Sequence, residues 1–252
     1  MQANQVTNLK GLSTLVPNIF IPDYGSKLTS AIYIRGIGSR INTPSVGLYV
    51  DNVPYIDKSA FDFNYSDIER IDVLRGPQGT LYGRNTMGGL IKVHTKSPFS
   101  YQGTDLRLSA GTYGNYNASV THYHRMSEQF AFSAGGFYEH ADGFFKNAGG
   151  GRIRAIYLPT ENLKLDFNVN YEYSDQGGYP YFYTGKVNEE EKKNDPRQDK
   201  IGLISYNDES SYYRSLLNAS ANIEYQTQHF TLSAVTGYQH LKDRMLLDQD
   251  FT

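Results

Sequence analysis

The sequence contains no cysteine and no tryptophan, and neither sign of charge is in large excess. Without cysteine the chain forms no disulfide bond and offers no thiolate ligand to a metal, which suits a cytosolic or an envelope protein. The net charge of -2 and the isoelectric point near 6.3 give no basic footprint for nucleic acid. We therefore predict no nucleic-acid partner, and no motif calls for a cofactor.

Long hydrophobic runs are also missing. No apolar stretch approaches the ~18 residues of a transmembrane helix, so helical membrane spans are excluded. A membrane β-barrel stays open, because its strands alternate apolar and polar residues and keep the mean hydropathy low. The mean hydropathy of -0.54 therefore decides nothing about membranes. Aromatic residues make up 14% of the chain, and that content in a polar sequence indicates many half-exposed rings.

Strict alternation of apolar and polar residues dominates the chain after residue 98. The clearest case is LKLDFNVNYEY at 163–173, where one face is apolar or aromatic and the other is polar. Weaker copies recur, and short connections between them alternate with longer ones, which is typical of outer-membrane barrels. The short connections lie near 126–129, 159–162 and 226–229, and the longer ones near 140–151 and 174–211.

Alternation alone leaves a second interpretation open, because soluble sandwiches and propellers also alternate. A soluble all-β module that binds carbohydrate or a partner protein would need a second sheet to bury the apolar face of 163–173. Tyrosines clustered near the strand ends favour the barrel, since such rings prefer the headgroup interface. Insertion into lipid or detergent would distinguish the two.

The first 98 residues follow another pattern, in which short apolar runs mix with irregular glycine and proline segments. AIYIRGIG at 31–38 and VGLYVDNVPY at 46–55 predict strands that end in turns. Ser66 or Asp67 is a candidate helix N-cap before the strand-like IDVLR. The sequence thus predicts a small α+β domain at 1–98, followed by antiparallel strands of an incomplete transmembrane β-barrel at 99–252.

The stretch IERIDVLRGPQGTLYGRNTMGGLIKVHTK at 68–96 places five glycines between two strand signals. Glycine tolerates positive φ and lets backbones approach closely, whereas a loose linker would be rich in glycine and serine and otherwise featureless. Apolar residues such as Leu74, Leu81 and Met87 alternate with the glycines. The segment therefore predicts tight, specified turns that pack against another surface.

Three blocks, IYIRGIGS, VGLYVDNVPY and the glycine stretch, in this order and spacing, resemble the plug domain of TonB-dependent outer-membrane receptors. The resemblance is strong over about the first hundred residues and much less specific over the following strands. It implies a plug inside a barrel of about 22 strands, which the inner-membrane TonB complex pulls on. It also implies uptake of a scarce nutrient such as a ferric siderophore, with outer-membrane lipid as surroundings and no enzymatic activity.

A plug that seals a polar lumen and can still be moved calls for compact glycine turns and polar contacts. Arg75, with Arg35, Arg70 and Arg84, is hypothesised to pair with carboxylates of the barrel wall, because such an interface reorganises at modest cost. The alternative is that these arginines bond only local carbonyl groups. The candidate plug-motif and plug–barrel residues are Arg35, Gly36, Asp51, Arg70, Arg75, Gly76, Gly79, Tyr82, Gly83, Arg84, Gly88 and Gly89.

The chain departs from the family pattern in three respects. It shows no signal peptide, no TonB-contacting box near its start, and only about seven strands where a plugged transporter has about 22. We therefore expect a receptor fragment that does not transport alone. His122 and His124 share one strand face, but a metal site would need a third ligand, so interfacial histidines are the favoured interpretation.

Overall fold

The computed structural model describes residues 9–22, 31–39, 43–61, 67–142, 147–177, 182–185, 188, 190, 195–203, 208 and 210–248. The chain divides into an N-terminal unit, which ends with a strand at Thr95, and a seven-stranded sheet that begins at Gly103. Within the described residues, no helix combines the length and the apolar character needed to cross a membrane.

The N-terminal unit contains two small sheets and very little helix. An antiparallel sheet is formed by β1 (Ile19–Phe20), β2 (Tyr33–Ile34) and β3 (Ile37–Gly38). The second sheet contains β4 (Val46–Val50), β5 (Val53–Tyr55), β6 (Ile68–Arg75) and β7 (Gly89–Thr95) in the order β5-β4-β7-β6. Strands β4 and β7 run parallel, and the other neighbours are antiparallel. The described helices of this unit are the 3-10 helices Lys10–Thr14 and Lys58–Ala60 and the single turn α1 (Gly79–Tyr82).

The turn between β4 and β5 is set by two residues with positive φ. Asp51 and Asn52 have φ of 48° and 69°, and Val50 pairs directly with Val53. This is the left-handed conformation of a two-residue hairpin turn, which aspartate and asparagine tolerate better than most residues. The turn predicted at DNVP is confirmed. It places Asp51 next to Thr95, whose backbone N–H donates to Asp51 Oδ1 at 2.9 Å.

The glycine stretch forms a tight connection between β6 and β7. The N–H of Gly76 donates to the carbonyl of Gly88 at 3.1 Å, which closes the neck of the loop. A Cβ on Gly89, where φ is 150°, would lie 2.4 Å from the carbonyl oxygen of Leu74. A Cβ on Gly88 would lie 2.8 Å from the carbonyl oxygen of Ile37. Backbone approaches this close leave no room for a side chain, so the prediction of specified turns is confirmed. The expected packing of the loop is wrong for its apolar side chains Leu81 and Met87, which are 82% and 71% exposed.

The seven-stranded sheet is an antiparallel meander in which each strand pairs with the next along the chain. Its connection between β12 and β13 contains the 3-10 helix Gln198–Lys200. The first and last strands do not pair with each other, so the sheet is open. The strands are β8 (Gly103–Gly111), β9 (Asn115–Arg125), β10 (Phe130–His140), β11 (Asn147–Thr160), β12 (Leu163–Gly177), β13 (Ser211–Gln226) and β14 (Thr231–Leu246).

The two faces of this sheet reverse the usual arrangement of a soluble protein. Phe167 and Val169 on the apolar face of β12 are each 46% exposed, whereas Asp166 and Glu172 on its polar face are 5% and 4% exposed. The N-terminal unit covers the polar face. Because no second sheet covers the apolar row among the described residues, the soluble all-β interpretation is not supported.

The apolar core lies in the N-terminal unit but does not close there. Its buried members include Ile34, Leu48, Ile91 and Val93, and they pack with Leu216 of β13, which is fully buried. Leu241 of β14 packs against the same cluster. The sheet therefore completes the core of the unit that it covers. Asp67, considered as a helix N-cap, instead directly precedes strand β6, and Ser66 lies outside the described residues.

Candidate functional site

Charged side chains meet where the polar face of the sheet lies against the N-terminal unit. Arg152 of β11 donates through Nη2 to Asp51 Oδ2 at 2.7 Å and through Nη1 to Asp67 Oδ2 at 3.0 Å. Its Nε donates to Asn168 Oδ1 of β12 at 3.0 Å. One guanidinium group therefore joins two carboxylates of the N-terminal unit to the sheet.

Arg154 lies two residues further along β11 and hence on the same face. It forms a two-pronged ion pair with Asp166 of β12, with Nη2 to Oδ2 at 2.7 Å and Nε to Oδ1 at 3.0 Å. Its Nη1 donates to Thr95 Oγ1 at 2.8 Å. Such paired hydrogen bonds fix the guanidinium plane, so Arg154 reaches β7 in a defined orientation.

Asp51 is the carboxylate shared by both arginines. Thr95 donates to it through its backbone N–H and through Oγ1, at 2.9 and 2.7 Å. Burial by itself raises the pKa of Asp51, but the charges of Arg152 and Arg154 and the two Thr95 hydrogen bonds outweigh it and hold that pKa below its ordinary value. Asp51 is therefore ionised at neutral pH. We call Asp51, Asp67, Thr95, Arg152, Arg154 and Asp166 the charge cluster.

A second contact region lies on β13 and β14. Arg214, fully buried on β13, donates to the carbonyl oxygen of Ser59 at 2.7 Å and pairs with Glu172 of β12. Gln239 Oε1 of β14 accepts the backbone N–H groups of residues 56 and 57, both at 3.3 Å. Gly237 leaves space for Val53, because a Cβ there would lie 2.8 Å from Val53 Cγ1. These contacts are mostly neutral and close-packed.

The connection between β7 and β8 is also held by side chains. Lys96 Nζ pairs with Asp105 Oδ2 of β8 at 2.5 Å, and the ammonium group lies 3.9 Å from the ring centre of Tyr101. The hydroxyl of Tyr101 donates to Asp105 Oδ1 at 2.6 Å. Gln102 Oε1 accepts the backbone N–H of Arg125 at 2.8 Å. The end of the N-terminal unit is thus fixed to the first two strands of the sheet.

The arginines named from the sequence lie elsewhere. Arg70 is exposed and its Nε lies 3.3 Å from Asp72 Oδ2 on the same strand. Arg75 and Arg84 are exposed and form no ion pair with any residue that the structure describes. Arg35 lies with Gly36 in the turn between β2 and β3. At Arg152 the charges are opposite to those expected, because the sheet supplies the arginine and the N-terminal unit supplies the carboxylates Asp51 and Asp67. The ion pair of Lys96 with Asp105 of β8 has the expected direction.

The other residues named from the sequence belong to the loop between β6 and β7. Tyr82 packs edge-on against Tyr49, with ring centres 5.3 Å apart, and its hydroxyl accepts a hydrogen bond from Lys92 at 3.4 Å. Burial, followed by the neighbouring Tyr82, raises the pKa of Tyr49. The glycines Gly76, Gly79, Gly83, Gly88 and Gly89 shape this loop. Of the plug-motif and plug–barrel residues named from the sequence, Asp51 is the one that joins the charge cluster.

Sequence reasoning missed Asp67, Arg152, Arg154 and Arg214. A signal was present for the pair on β11, since arginines two residues apart share one strand face and that face points away from lipid. The pattern did not reveal which carboxylates they meet. His122 and His124 face outward, with rings 6.0 Å apart, and His122 Nδ1 lies 2.8 Å from Thr104 Oγ1. Within the described ranges no three metal-ligating side chains come together.

An antiparallel sheet that exposes apolar rows and covers its polar face with a small α+β unit defines the class of plugged membrane β-barrels. A family model described as the TonB-dependent receptor plug domain matches residues 1–90. The pesticin receptor of Yersinia pestis is 38% identical over 97 residues, which are 38% of this chain and 14% of that receptor. The chain thus spans about a seventh of the length of this relative.

Solved structures agree with the match. The ferric yersiniabactin uptake receptor of Yersinia pestis superposes with a TM-score of 0.82 at 20% identity, covering 98% of this chain and 40% of that one. The ferripyoverdine receptor of the outer membrane of Pseudomonas aeruginosa gives 0.64 at 18% identity, over 87% and 30% of the two chains. Residues 1–90 thus match the plug domain of the TonB-dependent receptors, and the chain has the fold of the corresponding part of the solved receptors. These relatives are receptors rather than enzymes, as the sequence predicted, and the ferripyoverdine receptor is one of the outer membrane. We now call the N-terminal unit the plug and the seven-stranded sheet the wall sheet.

Proposed function

We propose that this chain forms the plug and the first wall strands of an outer-membrane receptor for TonB-driven uptake of a ferric siderophore. The names of the two structural relatives above both contain a ferric complex, and this supports the class of cargo. We also propose a domain boundary at residue 98, between the end of β7 and the start of β8.

The charge cluster is the observation on which the proposal rests. A plug that must be displaced needs contacts with the wall sheet that are specific but cost little free energy to break. When an ion pair opens into water, each charge regains its hydration, so much of the lost attraction is returned. An apolar interface of equal area would regain no favourable hydration free energy on separation. We propose that Asp51 and Asp67 and their arginine partners hold the plug and release it under a pulling force from the TonB complex.

We further propose that seven strands do not transport alone. The open edges of β8 and β14 present unpaired backbone groups, each of which costs several kcal/mol in hydrocarbon. Over two strands the total is on the order of tens of kcal/mol. Additional strands must therefore pair with both edges before the lumen can close.

A chimera tests the function. The corresponding part of the ferric yersiniabactin uptake receptor is replaced by this chain, and uptake of radiolabelled ferric yersiniabactin is measured in cells with and without TonB. We expect TonB-dependent uptake by the chimera and none by this chain alone. A chimera that reaches the outer membrane, binds the ferric complex and imports nothing would contradict the proposal. Import by the chain alone would contradict its dependence on further strands.

A further inference from the structure

The plug contacts the wall sheet in two chemically different ways. On β11 and β12 the contacts are ionic, because Asp51 and Asp67 of the plug both pair with Arg152. On β13 and β14 they are mostly neutral: Val53 lies against Gly237, and the apolar core of the plug continues onto both strands. We call these the ionic side and the neutral side of the interface. The two sides should respond differently when the plug is pulled.

Asp51 lies at the boundary between the two sides. Its carboxylate accepts a hydrogen bond from Arg152 Nη2 of β11 at 2.7 Å. Its backbone carbonyl oxygen accepts one from Asn222 Nδ2 of β13 at 3.2 Å. Replacing the carboxylate therefore removes contacts on the ionic side and leaves the backbone contact on the neutral side in place.

A cavity of about 20 Å³ lies between the plug and the wall sheet on the ionic side. Its lining combines Asp67 of the plug with residues of β9, β10, β11 and β12, among them Thr121, Ser133 and Gly135. The volume holds about one water molecule. The wall here contributes hydroxyl groups and, at Gly135, bare backbone. Separation on this side therefore begins next to space and polar groups that can solvate the carboxylate of Asp67.

The free energy of separation differs between the two sides. When the ion pairs open into water, each charge regains hydration, which offsets much of the lost attraction. The apolar contact with β13 and β14 has no such compensation, because separating it exposes apolar surface to water. The ionic side should therefore open first, with the neutral side as the hinge.

We propose that the plug opens on one side. It moves away from β10, β11 and β12 while its apolar contact with β13 and β14 persists, and the cargo passes along the cavity on the ionic side. The one-sided opening rests on the contacts alone. The passage of cargo rests on the uptake function proposed above.

Two buried positions distinguish one-sided opening from departure of the whole plug. Ser133 lines the cavity and is 4% exposed, and Val53 lies against Gly237 and is 9% exposed. Ser133 and Gly237 belong to one row of directly paired residues across the sheet, so the two positions report at the same depth. Four strand spacings, or about 19 Å, separate them. The chain contains no cysteine, so Ser133→Cys and Val53→Cys each introduce a single thiol.

Thiol labelling of the full chain, folded in detergent micelles, measures the opening at each position, with and without Asp51→Asn. We expect Asp51→Asn to accelerate labelling of Ser133→Cys at least about 10-fold and that of Val53→Cys less than about 2-fold, because it breaks only buried ion pairs. Asp67→Asn should act in the same way. Asp72→Asn, in an exposed pair, is the matched control and should change neither rate. Far-UV circular dichroism checks that all variants keep their β content.

Two results in micelles would overturn the one-sided opening. Equal acceleration at both positions would mean that the plug leaves as a whole, and an unchanged rate at Ser133→Cys would mean that the ionic side does not open. This assay contains neither cargo nor TonB, so it decides the opening whether or not the uptake proposal holds.

The same two cysteines in the chimera test the passage of cargo. During uptake of ferric yersiniabactin we expect faster labelling of Ser133→Cys only, and only in cells with TonB. Import without faster labelling of Ser133→Cys, or with equally faster labelling of Val53→Cys, would overturn passage on the ionic side. A chimera that imports nothing would contradict the uptake function instead.

Discussion

Arg152 of the wall sheet and Asp51 of the plug are 101 residues apart in sequence and joined by a hydrogen bond of 2.7 Å between Nη2 and Oδ2. The same guanidinium group reaches Asp67 on the other side. Both partners are largely buried, so the pair is shielded from solvent and salt. Substituting either residue therefore tests how firmly the plug is held against the wall sheet.

Replacing Asp51 by asparagine should loosen the plug. Arg152 and Arg154 would then share fewer carboxylates, and removing one partner of a buried ion pair costs about 3–5 kcal/mol. We expect faster proteolysis of the plug and a lower midpoint of denaturant unfolding. Asp72→Asn is the matched control, because Asp72 is 42% exposed and contacts Arg70 and His94 within its own sheet, and surface pairs contribute at most about 1 kcal/mol. Equal effects of the two variants would show that the cluster does not hold the plug.

Acid should release the plug through the same residue. The pKa of Asp51 is lower in the folded chain than in the unfolded one, so its contribution to stability is complete above the unfolded value near pH 4 and is lost as pH falls through the folded value. Digestion with pepsin across this range should show the plug becoming accessible below about pH 4. In Asp51→Asn the component due to Asp51 should vanish. An identical acid profile in parent and variant would assign the release to other groups.

Gly237→Ala should obstruct the seating of the plug on β14. The added Cβ would lie 2.8 Å from Val53 Cγ1, and overpacking of this kind typically costs about 1–3 kcal/mol. Val53→Ala should restore stability in the double variant, because it removes the atom that clashes. Gly111→Ala is the control, since its nearest neighbour would be 3.6 Å away. Failure of Val53→Ala to rescue would place the cause outside this contact.

Two glycines of the loop between β6 and β7 should differ in how well they tolerate substitution by alanine. Gly89→Ala puts a side chain at φ of 150° and 2.4 Å from the Leu74 carbonyl oxygen. We therefore expect the backbone amide hydrogens of the plug to exchange faster with solvent. Gly79→Ala meets nothing within 4 Å and begins α1, so its effect on unfolding should be neutral or slightly stabilising. Similar behaviour of the two variants would mean that the loop tolerates other conformations.

The sequence predicted the wall sheet because local chemistry decides it. Leu163, Phe167 and Tyr171 alternate with polar residues, and an alternation of this kind fixes which face each residue occupies whatever the partner strand is. The plug was recognisable because its glycine turns are specified by residues close in sequence. Both features are determined by residues that lie close to one another in the sequence.

The charge cluster was not predictable by the same route. Its partners come from strands and turns far apart in the chain, and their meeting depends on the register between β7, β11 and β12. Arg75 and Arg84 attracted attention because they lie among the glycines, yet proximity in sequence to a conspicuous turn says nothing about what that turn faces. Arg152 and Arg154, on an ordinary strand, carry the contacts instead.

Leu216 and Leu241 belong to the wall sheet but complete the apolar core of the plug. If the plug separates from the wall sheet, the ionic partners become hydrated, whereas the apolar surface of the plug that Leu216 and Leu241 covered is exposed to water. The separated plug then exposes one apolar surface. The surface that matches it is the one formed by Leu216 and Leu241 on the wall sheet. The hydrophobic effect therefore favours the seated plug over a separated one, and reseating requires no input of energy.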